Sequence, residues 1–380
     1  MRHPITIIGG NIAGLSAAFH LARKGCPVTV YENKIWDKPC GGAISIEYAY
    51  YLAKELGIDI PDLDQYIPHI RFYFKGHRIV ETDSLFVTIS RYNLQQQLIS
   101  KLQNDPNIDI IFKHMTLKDH DLFSAQTILS TGFSGLTRQI IEKQWQNREY
   151  ALALKCSGFL RKTSQNPSHL MAFDSRLKGY GWVFFGNNSQ FNIGIGGLIE
   201  KKIIYEKFEE FIKQINDRFN YGIRLESSPA VWKIPITLNN WNTPVSYYKN
   251  GIEFIGTGDV LGLAHPVIAA GIEPAWQSGW LLGESYDPAT HTINTTQYRH
   301  LLKKNLQLTS RKPFDIVLSH ILRLNWIPFK DQQAYFLMKL FHKKIIHQIK
   351  RYPWFAMVHD GEKETEFKVD IQGSKTYSLI

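Results

Sequence analysis

The chain has 380 residues, a formal net charge of +10, 44% hydrophobic and 21% charged residues. That is the balance of a soluble globular protein long enough for two domains, and it excludes an intrinsically disordered chain. Cys26, Cys40 and Cys156 are too few and too odd in number for a disulfide framework, and no stretch nears the ~20 apolar residues that a membrane-crossing helix needs.

The first elements are sharply marked. Ile5 to Ile8 is an apolar run bounded by Gly9-Gly10, as a buried strand is. Leu15 to Lys24 has Leu15, Ala18, Phe19 and Ala22 spaced for one buried helix face, and Gly25 stops it. Val28 to Tyr31 is a second strand ending at Glu32. The unit is a strand–turn–helix–strand of dinucleotide-binding type over Gly9-Gly10-Asn11-Ile12-Ala13-Gly14. Gly9 permits the sharp turn, and Gly14 lets the helix lie close to the sheet. The helix N-terminus presents N–H groups to a pyrophosphate. Glu32, at the end of the second strand, can accept from a ribose. Asn11 stands where the pattern has its second glycine. Asparagine tolerates left-handed backbone angles, so weaker or altered binding is expected there, with binding retained.

Lys38-Pro39-Cys40-Gly41-Gly42 predicts a tight loop where backbone approaches something closely, and Ile46 to Leu56 a helix. Ile70 to Phe74, a turn at 75–78, and Ile79 to Glu81 alternate like paired strands. Arg91 to Ile99 reads as a helix, Ile108 to Phe112 and Thr127 to Leu129 as strands, the last ending at Thr131-Gly132. From 152 to 236 short apolar strands dominate: Gly158 to Leu160, Gly181 to Phe185 and Phe191 to Gly196, with a helix from Ile204 to Phe219. This predicts an inserted antiparallel sheet. Gly251 to Gly256 returns to the first fold, followed by Gly258-Asp259 and a helix from Gly271 to Ser285.

Beyond Tyr298 the chain reads as helical and basic. Ala334, Leu337, Met338, Phe341, Ile345 and Ile349 form one apolar stripe. Such a stripe packs on its own domain or lies on a membrane surface. The tail after Pro353 reads as polar and loosely held. The positive charge suits a solvated basic face, anionic lipid or a phosphorylated ligand; no nucleic-acid motif accompanies it. No secretory signal and no metal site are predicted. A reducing, cytoplasmic setting is expected, with peripheral membrane contact as its variant.

Four segments taken together resemble the FAD-dependent geranylgeranyl reductase family. They are Gly9 to Glu32; Pro39-Cys40-Gly41-Gly42; Tyr180-Gly181-Trp182-Val183-Phe184-Phe185 with Asn192 to Gly197; and Gly256 to Pro266 running on to Gly271-Ile272 and Ser278-Gly279. That family sits in the wider group of p-hydroxybenzoate hydroxylase-like monooxygenases, flavin halogenases and electron-transfer flavoprotein–quinone oxidoreductases. The resemblance spans about residues 4–285.

It implies an α/β fold: a FAD-binding Rossmann-like domain (1–65, 88–150 and 250–290), an inserted antiparallel β-sheet substrate domain (66–87 and 151–249) and a helical C-terminal region (291–380). It implies that Gly9, Gly10, Asn11, Ala13, Gly14, Glu32 and Asn33 hold the ADP half of FAD, with Arg91 on the pyrophosphate side. Gly41, Gly42 and Gly132 would complete the cofactor site. Gly258 and Asp259 would serve the ribityl chain, Pro266 the isoalloxazine, and Gly271 and Ile272 the pyrimidine end of the flavin. Cys40 is expected near the flavin's catalytic face, as a proton donor or as a small apolar filler. His265 is expected as a titrating group or a satisfied core histidine. Tyr180, Trp182 and Phe184 would line the substrate chamber or be ordinary strand core.

The sequence departs from the family at several points. Phe184-Phe185 lacks the proline after the aromatic, His265-Pro266 replaces Asn-Pro, Ile268-Ala269-Ala270-Gly271 replaces Thr-Gly-Glu-Gly, and Thr131-Gly132 replaces Asp-Gly. The leading expectation is reduction of carbon–carbon double bonds in an apolar, isoprenoid-like lipid, with NAD(P)H or a ferredoxin as electron donor. The alternatives are a monooxygenase or halogenase on a compact aromatic, and a non-catalytic binding protein.

Overall fold

The computed structural model describes residues 3–306 apart from 61–66, 75–76, 85, 147–149, 161–167, 175, 187–189, 227, 237–240 and 266–268. The chain begins β1 (Ile5–Ile8), α1 (Ile12–Arg23), β2 (Val28–Glu32), β3 (Ala43–Ser45), α2 (Ile46–Leu56), β4 (His69–Phe74), β5 (His77–Asp83), β6 (Phe86–Thr88) and α3 (Arg91–Leu102). It continues with β7 (Ile108–Phe112), β8 (Gln126–Leu129), α4 (Gly135–Gln146), β9 (Tyr150–Leu160), β10 (His169–Asp174), β11 (Gly179–Phe185), β12 (Gln190–Gly197) and α5 (Lys201–Phe219). It closes with β13 (Ile223–Leu225), β14 (Ala230–Pro235), β15 (Ser246–Lys249), β16 (Ile252–Gly256), α6 (Ile272–Glu284), β17 (Tyr286–Asp287), β18 (Thr292–Ile293) and α7 (Thr295–Asn305).

Local signals explain the best-placed boundaries. The Ser45 hydroxyl accepts from Tyr48 N–H and starts α2, and Gly57, at φ +62°, ends it. The Ser90 hydroxyl does the same for α3 through Asn93 N–H. Helix α1 begins at Ile12, three residues before the predicted Leu15, because the Asn11 side chain caps it by accepting from Ile12 N–H at 2.8 Å.

Two sheets carry the fold. The first has the order β15-β16-β8-β1-β2-β7, with β16, β8, β1, β2 and β7 all parallel and β15 antiparallel at the edge. Ile7, Ile128, Val30 and Ile255 are fully buried in it, as strands covered on both faces require. Helices α1 and α6 cross at glycines. A Cβ on Gly279 would lie 2.4 Å from the Ala13 carbonyl oxygen. Trp276, fully buried on α6, takes the Ser16 hydroxyl on its own carbonyl at 2.6 Å. Burying such a ring contributes roughly 1.5–3 kcal/mol.

The second sheet has the order β13-β9-β12-β11-β10-β4-β5, with β14 also paired to β9. The expected antiparallel sheet is present, with one departure: β4 pairs with β10 in parallel, His169 opposite Ile70. A strand reached by a long excursion need not reverse direction as a hairpin does. Residues 77–78 of the predicted turn at 75–78 belong to β5, which begins at His77. One face of this sheet packs under α5 through Ile204, Phe208, Phe211 and Ile215. The other carries Trp182, Phe184, Met171 and Phe173, and it faces the loop before β3. The apolar stripe at 334–349 and the polar tail lie outside the described residues.

Candidate active site

The turn after β1 is built by exclusion of side chains. Gly9 has φ +103°, and a Cβ there would meet Ser130 backbone at 2.7 Å; one on Gly14 would lie 1.9 Å from the Gly9 carbonyl oxygen. Gly10 sits against Glu32, with its carbonyl accepting from the Gln95 amide at 2.8 Å. These close approaches leave the N-terminus of α1 facing a cleft of about 630 Å³.

Gly9, Asn11, Ala13, Glu32, Asn33, Arg91, Gly132, Asp259, Gly271 and Ile272 line that cleft, so ten residues of the predicted cofactor set meet on one groove, while Gly41 and Gly42 do not line it. Gly10, Gly14 and Gly258 shape it from behind; Gly258, at φ +61°, packs on Ala13. Pro266 lies outside the described residues. The Glu32 carboxylate accepts from Asn33 N–H at 2.7 Å and Gln95 at 3.2 Å. Burial nevertheless pushes its pKa up, against the hydrogen bonds that favour its charged form.

The donor set fits a dinucleotide. Ser130 Oγ and Arg91 Nε are buried on residues of the cleft wall with no protein partner among the described residues. A phosphate supplies the acceptors that such donors need. Asn11 already offers one acceptor: its Oδ1 takes both Ile12 N–H and an Arg91 guanidinium N–H. Lys34 and Lys113 line the same groove, so cations stand at the end where the ADP moiety would lie.

The Cys40-Gly41-Gly42 loop closes the other end. Gly42, at φ +71°, leaves no room for a side chain beside the Ile89 carbonyl, and Ile89 N–H donates to Gly42 O at 3.0 Å. A Cβ on Gly41 would fall 2.9 Å from the Phe184 ring and 3.3 Å from Trp182 Nε1. The loop therefore lies flat on the aromatic face of the second sheet. Behind it is a chamber of about 70 Å³, lined by Cys40, Gly41, Tyr180, Trp182 and Phe184 among others. Cys40, Ile234 and Ala269 line both the cleft and the chamber. Burial first, and the Cys40 thiol second, hold the Tyr180 phenol well above its ordinary pKa.

Three polar contacts fix this loop, and none was anticipated. Lys38 pairs with Asp259 across the cleft, its ammonium 5.6 Å from the Trp232 ring centre. The Asn192 amide donates to the Cys40 carbonyl at 2.9 Å. Ser45 N–H donates to Glu273 at 2.6 Å, joining the strand after the loop to the first turn of α6. Glu273 is fully enclosed, and desolvation raises its pKa to about 8. A polar residue inside an apolar run is the signal: Asn192 sits between Phe191 and Ile193, and Glu273 precedes Pro274-Ala275-Trp276. His265 is not among the described lining residues of either cavity; its N–H donates to the Ala270 carbonyl at 2.8 Å.

Comparison with known proteins agrees with this layout. A family model described as an NAD(P)-binding Rossmann-like domain matches residues 7–61. The digeranylgeranylglycerophospholipid reductase of Sulfolobus acidocaldarius is 23% identical, covering 77% of this chain and 70% of that protein. A geranylgeranyl bacteriochlorophyll reductase-like protein from Thermoplasma acidophilum superposes with a TM-score of 0.66 at 15% identity, covering 92% of this chain and 96% of that one. A p-nitrophenol 4-monooxygenase from Pseudomonas putida superposes with a TM-score of 0.56 at 13% identity, covering 91% and 96%. The expected kind of protein, an oxidoreductase, is the kind these relatives are named for. No described helix is long and apolar enough to cross a membrane. The chain has the α/β fold shared by flavin-dependent reductases and monooxygenases and, in sequence, resembles the geranylgeranyl reductase family among them.

Proposed function

We propose that the protein is a FAD-dependent oxidoreductase that reduces carbon–carbon double bonds of an isoprenoid lipid. One observation carries the reading: Cys40 lines both the dinucleotide cleft and the aromatic chamber, so one thiol borders the cofactor side and the substrate side. The similarity to a named geranylgeranyl-lipid reductase supports the substrate class.

Bound FAD, once reduced by NAD(P)H or a ferredoxin, would supply a hydride. The residues of this chain would do the rest. Gly9, Arg91 and Ser130 would hold the pyrophosphate, and Glu32 the ribose. Asp259 would take the ribityl hydroxyls, and the N-terminus of α6 at Gly271-Ile272 would stabilise negative charge at the pyrimidine end. Trp182 and Phe184 would exclude water and hold the alkene flat. Cys40 would give its proton to the carbon that does not receive the hydride and regain one from solvent through the cleft. The π bond of the alkene breaks, two C–H bonds form, and the S–H bond broken at Cys40 is restored.

A second reading, oxygen-dependent attack on a compact aromatic, is favoured by the small chamber of about 70 Å³. The test is spectroscopic. Protein reconstituted with FAD is reduced anaerobically and mixed with a geranylgeranyl lipid. Return of the oxidised flavin spectrum, with saturated lipid as product, is the expected result. Reoxidation only by oxygen, coupled to an aromatic compound, would establish the second reading instead.

A further inference from the structure

Asn192 stands in the middle of β12 with apolar neighbours, and both ends of its side chain are used. Trp182 Nε1 donates to Asn192 Oδ1 at 2.8 Å, and Asn192 Nδ2 donates to the Cys40 carbonyl at 2.9 Å. An indole N–H can only donate and a peptide carbonyl can only accept. The amide therefore has one possible orientation, and no residue lacking either a donor or an acceptor replaces it. The strand register makes the contact possible. Trp182 lies opposite Gly194, and Phe184 opposite Asn192. A Cβ on Gly194 would lie 2.2 Å from the Trp182 ring. The glycine thus lets the indole lie across the sheet and turn its N–H toward Asn192.

The contact ends on the loop that carries the thiol. Gly42 N–H points at Cys40 Sγ at 3.4 Å. The Cys40 carbonyl is the anchor of that arrangement, because the Gly41-Gly42 backbone after it has no side chain of its own to restrict it.

We infer that Asn192 is a positioning residue for Cys40, fixing the loop so that the thiol keeps one orientation between cleft and chamber. The inference rests on the reading of Cys40 as a proton donor only for its significance. The positioning itself is a property of the protein without substrate. Among the described residues, titratable groups that share a cavity with the thiol include Tyr180 and Lys178 on the chamber wall and Lys38, Asp259, Glu32, Lys34, Arg91, Lys113 and His114 in the cleft.

The test is iodoacetamide alkylation of the full-length chain at one fixed pH, with Cys40 followed by peptide mass spectrometry. Cys26 and Cys156 are buried and Cys40 is partly exposed, so Cys40 reacts selectively, Cys40→Ala is the blank, and unreactive Cys26 and Cys156 show that a variant keeps its fold. Asn192→Leu releases the Cys40 carbonyl and is expected to raise the alkylation rate of Cys40 about threefold. Asn192→Asp, which places a second acceptor against that carbonyl, is expected to raise it further. Should the aspartate variant fail to fold, Trp182→Phe removes the donor that orients the amide, and an increase smaller than that of Asn192→Leu is expected. Rates equal to the parent's, whatever the loss of melting temperature, would reduce Asn192 to a packing residue and overturn the inference. Alkylation needs neither lipid nor electron donor, so that outcome would leave the reductase reading standing. The reductase role of Cys40 falls separately, if Cys40→Ala reduces lipid at the parent's rate.

Discussion

Glycine serves opposite purposes at the two ends of the site. At the turn after β1, Gly9 and Gly14 remove side chains so that one stretch of backbone can lie against another. On the second sheet and in the loop against it, Gly194 and Gly41 remove side chains so that the protein's own rings, Trp182 and Phe184, can fill the space. In the first region the exposed groups are peptide groups whose positions the local sequence dictates. In the second they are side chains whose positions depend on strands from distant parts of the chain.

Substitutions can set the two regions against each other. Gly14→Ala should be the most damaging, since its Cβ would lie 1.9 Å from the Gly9 carbonyl. The expected cost is about 3 kcal/mol in urea unfolding, with FAD binding lost. Gly194→Ala meets mainly the Trp182 ring at 2.2 Å and the Leu154 carbonyl at 2.5 Å. We expect about 2 kcal/mol, an altered tryptophan emission, and FAD affinity unchanged. Adding Trp182→Leu should restore part of that loss; strict additivity of the two costs would mean that the ring and the glycine are not coupled.

Glu273 joins the regions, so its titration reports on both. Its folded pKa of about 8 lies above its ordinary 4.5. The native state therefore binds the proton more tightly than the unfolded chain. The stabilisation is complete below about pH 4.5 and is lost as pH rises toward 8. Glu273→Gln keeps the neutral form at every pH. Unfolding at pH 5 and pH 8 should show the variant gaining about 3–4 kcal/mol over the parent at the higher pH. An identical pH slope in the two proteins would rule out this assignment. The smallest effect is expected at Asn11→Gly. Glycine is nearly as good a cap as asparagine, and its substitution frees Ile12 N–H and Arg91 for phosphate. FAD should bind about tenfold more tightly by fluorescence titration, or roughly 1.4 kcal/mol.

The same contrast explains what could be read in advance. The turn from Gly9 to Glu32 was legible because its glycines, cap and strand ends are all local. Helix α2 was legible to the residue because Ser45 and Gly57 cap it. Helix α4 was missed: Gly135-Leu-Thr-Arg-Gln opens it with no acidic residue in its first turn. Strand β14 was missed because its pairing partner β9 lies far along the chain; β10 was missed although one of its two neighbours, β11, follows directly. Cys40, Trp182 and Phe184 were legible as a motif. Their anchors Lys38, Asn192 and Glu273 were not, because nothing near them in sequence says which buried group each will meet.

The parallel pairing of β4 with β10 has a consequence for synthesis. The β4–β5 hairpin leaves the ribosome roughly 100 residues before β10 does, which at ordinary elongation rates is about 5–20 s. Through that interval one edge of the nascent hairpin has no neighbour. Arg71 on β4 faces Glu81 on β5 at 3.1 Å, and paired charges of this kind discourage an open strand from recruiting another chain. The polypeptide is thus equipped to wait for a partner that has not yet been made.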